Sequence, residues 1–142
     1  MNSNLESLKA EIRDLHRITI DAHWEKDVDF FVRDLAEGYF SVGGGEIRHP
    51  TVEQIRAQFT DYLTSTTFSE YRDLREPIVG ISQDGSLAWS LVEVKVAGVR
   101  KLADGSERVL DFICAWITLY QREGDKWLRM GEVSSFREAS ED

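Results

Sequence analysis

The chain has 142 residues, near the roughly 150 of an average domain, so one domain with a full core is expected and a two-domain enzyme is excluded. Its 17 Lys and Arg against 26 Asp and Glu leave a formal charge of −9, a field that repels phosphate backbones and anionic lipid and argues against nucleic-acid and membrane partners. With 42% hydrophobic and 11% aromatic residues and only 2 Pro, the composition is that of an ordered globular protein, and the lone cysteine, Cys114, excludes an intrachain disulfide.

From Leu5 to Trp24, the residues Leu5, Leu8, Ile12, Leu15, Ile18 and Ala22 recur at three- and four-residue steps, which predicts an amphipathic helix. Asp27 is the expected N-cap of a short second helix in which Val28, Phe31 and Leu35 share a face, with Gly38 as its left-handed stop. Tyr39 to Val42 reads as a short strand, broken by Gly43-Gly44-Gly45. Thr51 with Gln54 forms a capping box, behind which Ile55, Phe59 and Tyr62 line one side of a third helix.

The second half changes period. Asp84-Gly85, Asp104-Gly105 and Glu123-Gly124-Asp125 are turn signals. They divide four long strands, at about Tyr71 to Ser82, Leu87 to Val99, Arg108 to Arg122 and Lys126 to Phe136. Pro77 cannot donate to a ladder, so the first of these is an edge strand or carries a bulge there. Residues 1–137 are read as one domain and 138–142 as an acidic tail that frays. Met1 to Asn4 carry no basic segment leading into an apolar one, and the longest apolar run, Phe112 to Ile117, is far short of a bilayer span. A soluble, cytoplasmic protein is expected.

Ala88, Ser90, Val92, Val94 and Val96 make one small, mostly apolar strand face, as a buried concave wall requires. On the next strand both faces want burial: Asp111, Ile113, Ala115, Ile117 and Leu119 on one, Phe112, Cys114, Trp116, Thr118 and Tyr120 on the other. Three helices can cover one side of a curled sheet. Trp89, Phe112, Trp116 and Tyr120 are then expected to form an outer patch through which the chain makes a homodimer, the alternative being a sheet curled enough for its own tail to shield them.

The order helix, short helix, short strand, capped helix and three long hairpins resembles the ketosteroid isomerase-like, or nuclear transport factor 2-like, superfamily, and within it the SnoaL-like proteins. The carriers are Ala22 with Asp27, Tyr39-Phe40-Ser41-Val42, Thr51-Val52-Glu53-Gln54-Ile55, Asp84-Gly85-Ser86-Leu87-Ala88-Trp89, and Gly124 to Trp127 leading to Ser135. The resemblance implies an α+β cone with three helices, in which a curved mixed sheet wraps around the N-terminal helix and encloses an apolar pocket, usually as a dimer through the outer sheet face. It spans isomerases, dehydratases, cyclases, epoxide hydrolases and non-catalytic binding or assembly domains, so the fold alone selects no activity. Where a ketosteroid isomerase carries its carboxylate base this chain has Gly43, and where many relatives have a histidine two residues before the serine it has Val133. Steroid-type isomerisation is therefore not expected.

His16 and His23 are seven residues apart on the first helix, about 20° out of line, so both imidazoles look the same way. With Asp111, whose aliphatic neighbours would raise its pKa, they form the acid-base set the sequence offers, and Tyr39 adds a hydroxyl. The competing structural roles are histidines on a helix flank and an aspartate in solvent at a strand end. Trp24, Phe31, Tyr39, Phe59, Tyr62, Val92, Val94 and Ile113 are the expected ligand-binding residues. His49 completes the histidines without metal-ligand spacing, the triple glycine lacks the Lys-Ser/Thr ending of a phosphate loop, and Cys114 sits in an apolar run; neither a metal nor a cofactor is expected. The reading is a binder of a small apolar or aromatic molecule, with cofactor-independent lyase or isomerase chemistry as its enzymatic form and an assembly domain with a vestigial pocket as the alternative.

Overall fold

The computed structural model describes residues 2–139. The N-terminal helix α1 spans Asn2–Glu25 and α2 spans Val28–Val32, its first turn capped by the Asp27 carboxylate, which accepts from the Phe30 N–H. Strand β1 covers Leu35–Gly43 and β2 Glu46–Arg48, followed by α3 over Val52–Ser65. The remainder is all strand: β3 (Thr66–Asp73), β4 (Ile78–Ile81), β5 (Leu87–Lys101), β6 (Glu107–Glu123) and β7 (Lys126–Glu138). One seven-stranded sheet runs in the order β2-β1-β7-β6-β5-β3, with β4 also on β5; β1 and β7 are parallel and the other pairs antiparallel.

The capping box at α3 is formed: the Gln54 N–H reaches Thr51 Oγ1 at 3.1 Å and the Thr51 N–H reaches Gln54 Oε1 at 2.9 Å. Thr51→Ala leaves one of these donors without its acceptor, and about 1 kcal/mol of stability should be lost in urea denaturation.

Four expectations about the elements are corrected. The second helix stops at Val32, because the chain turns through Asp34 in the left-handed region (φ 54°) and Leu35 opens β1 instead of completing a helical face. Gly38 (φ 79°) is no helix stop; it lies in β1 where its register against β7 shifts. The strand expected from Tyr71 to Ser82 is two strands starting five residues earlier, with residues 74–77 between them outside any strand, as Pro77 demands. Glu138, expected in a frayed tail, pairs with Phe112, and the Ala139 N–H donates to the Asp111 carbonyl; residues 140–142 lie outside the described ones.

The register of β5 with β6 decides the faces. Ala88 pairs with Tyr120, Val92 with Trp116, Val94 with Cys114 and Val96 with Phe112. All lie on the inner side, where Leu8 and Ile12 of α1 pack with Ala88, Tyr120 and Trp127, and Ile20 packs with Tyr71, Val94, Val96 and Cys114. Phe112, Trp116 and Tyr120 therefore face α1's side, and of the four residues expected on an outer patch only Trp89 is there, its indole lying over Gly80. Both faces of β6 are apolar, so alternation alone could not choose between them; pairing does.

Candidate functional site

The helices approach the sheet most closely along β3, β4 and β5. The inner wall made by β6, β7 and β1 meets the helices through side chains, Tyr120 and Trp127 against Leu8 and Ile12 and Arg129 against the end of α2, and there polar groups converge. Its centre is Glu132, a half-buried carboxylate on β7. Glu132 pairs with Thr118, whose Oγ1 lies 3.4 Å from Glu132 Oε2, and with Ser41 of β1. Tyr39, two residues before Ser41, lies on the same face of β1, near enough to Glu132 for the two to shift each other's titration. Burial pushes the Glu132 carboxyl above the ordinary carboxylate range, against the opposing pull of Arg129 and the two hydroxyls. The Tyr39 hydroxyl is in turn raised by burial and by the neighbouring carboxylate.

Arg129 is buried and committed. Its Nη2 donates to the Phe30 carbonyl at 2.7 Å and the Arg33 carbonyl at 2.8 Å, and the guanidinium lies 4.9 Å from the centre of the Phe30 ring. These contacts satisfy carbonyls at the end of α2 and hold that helix against β7.

Opposite stands the second polar cluster. His16 and His23 do look the same way, toward β3, and both are buried, but each has its own partner. His16 Nε2 meets Asp73 Oδ1 at 2.7 Å, and its ring lies 5.9 Å from that of Trp116. His23 Nδ1 donates to the Thr19 carbonyl at 2.8 Å, which leaves Nε2 to accept from the Tyr71 hydroxyl at 3.2 Å. Burial lowers the His23 pKa to about 4, so the ring is neutral at pH 7, and burial raises Tyr71 well above the ordinary tyrosine value. Cys114, nearby on the inner face, has its thiol pushed up to about 12 by burial and is an unreactive neutral thiol at pH 7.

The structure thus divides the expected residues. Phe31 and Phe59 stack at 4.0 Å beside His23, and Tyr39 and Tyr62 are half-buried on the inner side. Val92 and Val94 lie on the inner face but are fully packed as core, 2% and 0% exposed. Trp24 is largely exposed and bonds the Tyr71 carbonyl through Nε1 at 3.3 Å. Asp111 and Ile113 are on the outer face, on the far side of the sheet from both histidines; Asp111 is solvent-facing and pairs with Lys95 Nζ at 2.9 Å. The set His16, His23 and Asp111 is therefore not one constellation, because β6 presents its odd residues outward. His49 is exposed in the loop after β2, and among the described residues no three His, Cys, Asp or Glu are grouped to hold a metal ion.

Glu132, Thr118, Tyr71 and Arg129 were not singled out in the sequence. Counting alternate residues from the inward-facing Trp127 and Arg129 puts Gly131 inside and Glu132 outside. Met130 is a bulge: Arg129 pairs with Tyr120 but Gly131 with Leu119, and this one extra residue turns Glu132 inward.

No family model matches the chain and no curated protein matches it. Solved structures do. A nuclear transport factor 2-like superfamily protein from Salmonella enterica serovar Typhimurium aligns over 96% of this chain and 94% of its own, with a TM-score of 0.70 at 12% identity. A ketosteroid isomerase-like protein from Erwinia carotovora covers 93% and 96%, with a TM-score of 0.67 at 14% identity. A further nuclear transport factor 2-like protein with a cystatin-like fold, from Novosphingobium aromaticivorans, covers 99% and 88%, with a TM-score of 0.67 at 13% identity. The three helices and the large, curved, unclosed mixed sheet of this chain thus have the α+β cone fold of these nuclear transport factor 2-like and ketosteroid isomerase-like structures.

Proposed function

We propose that the chain binds a small, largely apolar molecule between its helices and the β6-β7-β1 wall, with Glu132 as the proton-handling group and Tyr39 and Thr118 positioning it. The observation that carries this reading is a half-buried carboxylate on the inner face of the sheet, 3.4 Å from the Thr118 hydroxyl and on the same face as Tyr39. A carboxyl whose protonated form is favoured by burial is shifted in the direction that a proton-handling group of a cofactor-independent isomerase or lyase needs. His16, His23 and Asp111 are replaced in this role; His23 with Tyr71 supplies a neutral polar boundary. The test is a thermal-shift and calorimetric screen of neutral aromatic alcohols and ketones. Glu132→Gln keeps the shape but loses the titrating proton, so a hit should lose about tenfold in affinity or its turnover. Equal behaviour of wild type, Glu132→Gln and Glu132→Leu would end the proposal.

A second reading, an assembly domain, is favoured by the outer face. Ile78, Leu91, Ile117, Val133, Val42 and Ile47 are paired in sequence from β4 through β5, β6, β7 and β1 to β2, an apolar row across the sheet. Ile78, Leu91, Val133 and Ile47 are exposed. We propose that this row, with Trp89, is the homodimer surface in either reading, in place of Phe112, Trp116 and Tyr120. Sedimentation should give a dimer for the wild type and a monomer for the double variant Leu91→Lys, Val133→Lys; a monomeric wild type refutes it.

A further inference from the structure

The bulge at Met130 does more than turn Glu132 inward. It makes Arg129 and Glu132 neighbours on the inner face, opposite Tyr120 and Thr118, which are successive inward positions of β6 about 7 Å apart. A guanidinium so placed would ordinarily close on the carboxylate as a charge-assisted pair. Instead it is drawn to α2: Nη2 donates to the Phe30 and Arg33 carbonyls at 2.7 and 2.8 Å, and the Phe30 ring lies beneath the guanidinium. These are carbonyls at a helix C-terminus, which need donors from outside the helix.

The helix that draws Arg129 away is short and jointed at both ends. α2 has five residues and lies between two non-glycine residues in the left-handed region, Lys26 (φ 58°) and Asp34 (φ 54°), a conformation kept only where neighbours enforce it. Phe31 stacks on Phe59 and Asp29 meets Arg56 at 2.8 Å, so α2 moves with α3. The other titratable groups on the sheet that face Glu132 are Tyr39 of β1, Tyr71 of β3, and Tyr120 and Cys114 of β6. All four are raised by burial and neutral at pH 7. From the helices, His23 of α1 and Tyr62 of α3 are neutral as well, and Arg33 is exposed. Arg129 is therefore the charge that acts on the Glu132 carboxyl, and it acts against burial.

Resting on the role proposed above for Glu132, we infer that Arg129 is a positioning residue for it and that α2 decides where the guanidinium goes: onto the helix carbonyls while α2 is docked, onto the Glu132 carboxylate once α2 is released. Docked, the carboxyl is free to take up and give back a proton. Released, it is locked as half of an ion pair and the site is off.

The test is a pH titration of the full chain, labelled with carbon-13 at its glutamate carboxyls, in which the Glu132 signal is the one missing from Glu132→Gln. Arg129→Met removes the charge, and Glu132 should titrate about one pH unit or more above wild type. Arg129→Lys keeps the charge and should stay nearer to wild type than Arg129→Met does. Phe30→Leu keeps apolar bulk but removes the ring beneath the guanidinium, which frees Arg129 to reach the carboxylate, so Glu132 should titrate about half a pH unit or more below wild type. The opposite signs are the signature, since a purely structural role for both residues would move Glu132 alike in the two variants. An unchanged or lowered value in Arg129→Met, or an unchanged or raised one in Phe30→Leu, overturns the inference; if Arg129→Met does not fold, Phe30→Leu decides. These differences leave ligand binding untouched, whereas a wild-type Glu132 that titrates at or below the ordinary glutamate value of about 4.3 would instead overturn its proton-handling role.

Discussion

Acidification from pH 7 to pH 5 is expected to lower the stability of the folded chain by about 2 kcal/mol through His23 alone. The sign follows from the two protonation states. Burial holds the folded pKa of His23 at about 4, whereas the unfolded side chain titrates near 6.5. Between those values the unfolded chain takes up a proton that the folded chain refuses, so stability falls as pH falls through 6.5 and the slope ends near 4. The whole window amounts to about 3 kcal/mol, a large share of the stability of a domain this size. The groups around the ring reinforce it: Nδ1 is committed to the Thr19 carbonyl, Tyr71 donates to Nε2, and a charge on His16 would repel a second one. Glu132 acts in the opposite sense, since its raised pKa makes its ionised form costly and acid relieves that cost. Asp84, held at about 2 by the hydroxyl and N–H of Ser86, gives its stabilisation up only at lower pH. Urea denaturation of wild type and His23→Gln at pH 7 and pH 5 separates these contributions, because Glu132 and Asp84 are common to both proteins. The variant should lose about 2 kcal/mol less than wild type on acidification; parallel losses would remove His23 as the cause.

The same histidine shows what the sequence could and could not convey. A long first helix with His16 and His23 looking the same way follows from spacing, as do the Asp27 cap, the Thr51 capping box and the three glycine turns, because these are local rules written in a few adjacent residues. What lay beyond local rules was which side of β6 faces in. Its odd and even residues are both apolar, and the choice is made by pairing with β5 across the Asp104-Gly105 turn. That choice moved Asp111 and Ile113 out of the interior and brought Trp116, Thr118 and Tyr120 into it. Glu132 was hidden for a related reason. A bulge at Met130 inverts the alternation of β7, and nothing in Arg129-Met130-Gly131 announces it. The elements were therefore legible and the inner wall was not, since a wall is a property of neighbouring strands and each strand carries only its own half of the register.

Leu63→Ala should cost about 3 kcal/mol, within the range of roughly 2 to 5 found for buried leucines. Leu63 is 0% exposed and belongs to the cluster of Ala22, Phe30, Phe31 and Ile55, where α1, α2 and α3 meet. Its neighbours cannot close the space left behind. Phe31 is fixed by stacking on Phe59, and the Lys26 ammonium, in a left-handed turn after α1, ties down the Leu63 and Thr66 carbonyls at the end of α3. The loss should therefore combine the missing transfer free energy with a residual void. Leu102→Ala is the control: Leu102 is 41% exposed in the β5-β6 turn, and its truncation should change stability by no more than about 0.5 kcal/mol. A destabilisation under 1 kcal/mol would mean that the helices are held to the sheet by something other than this cluster.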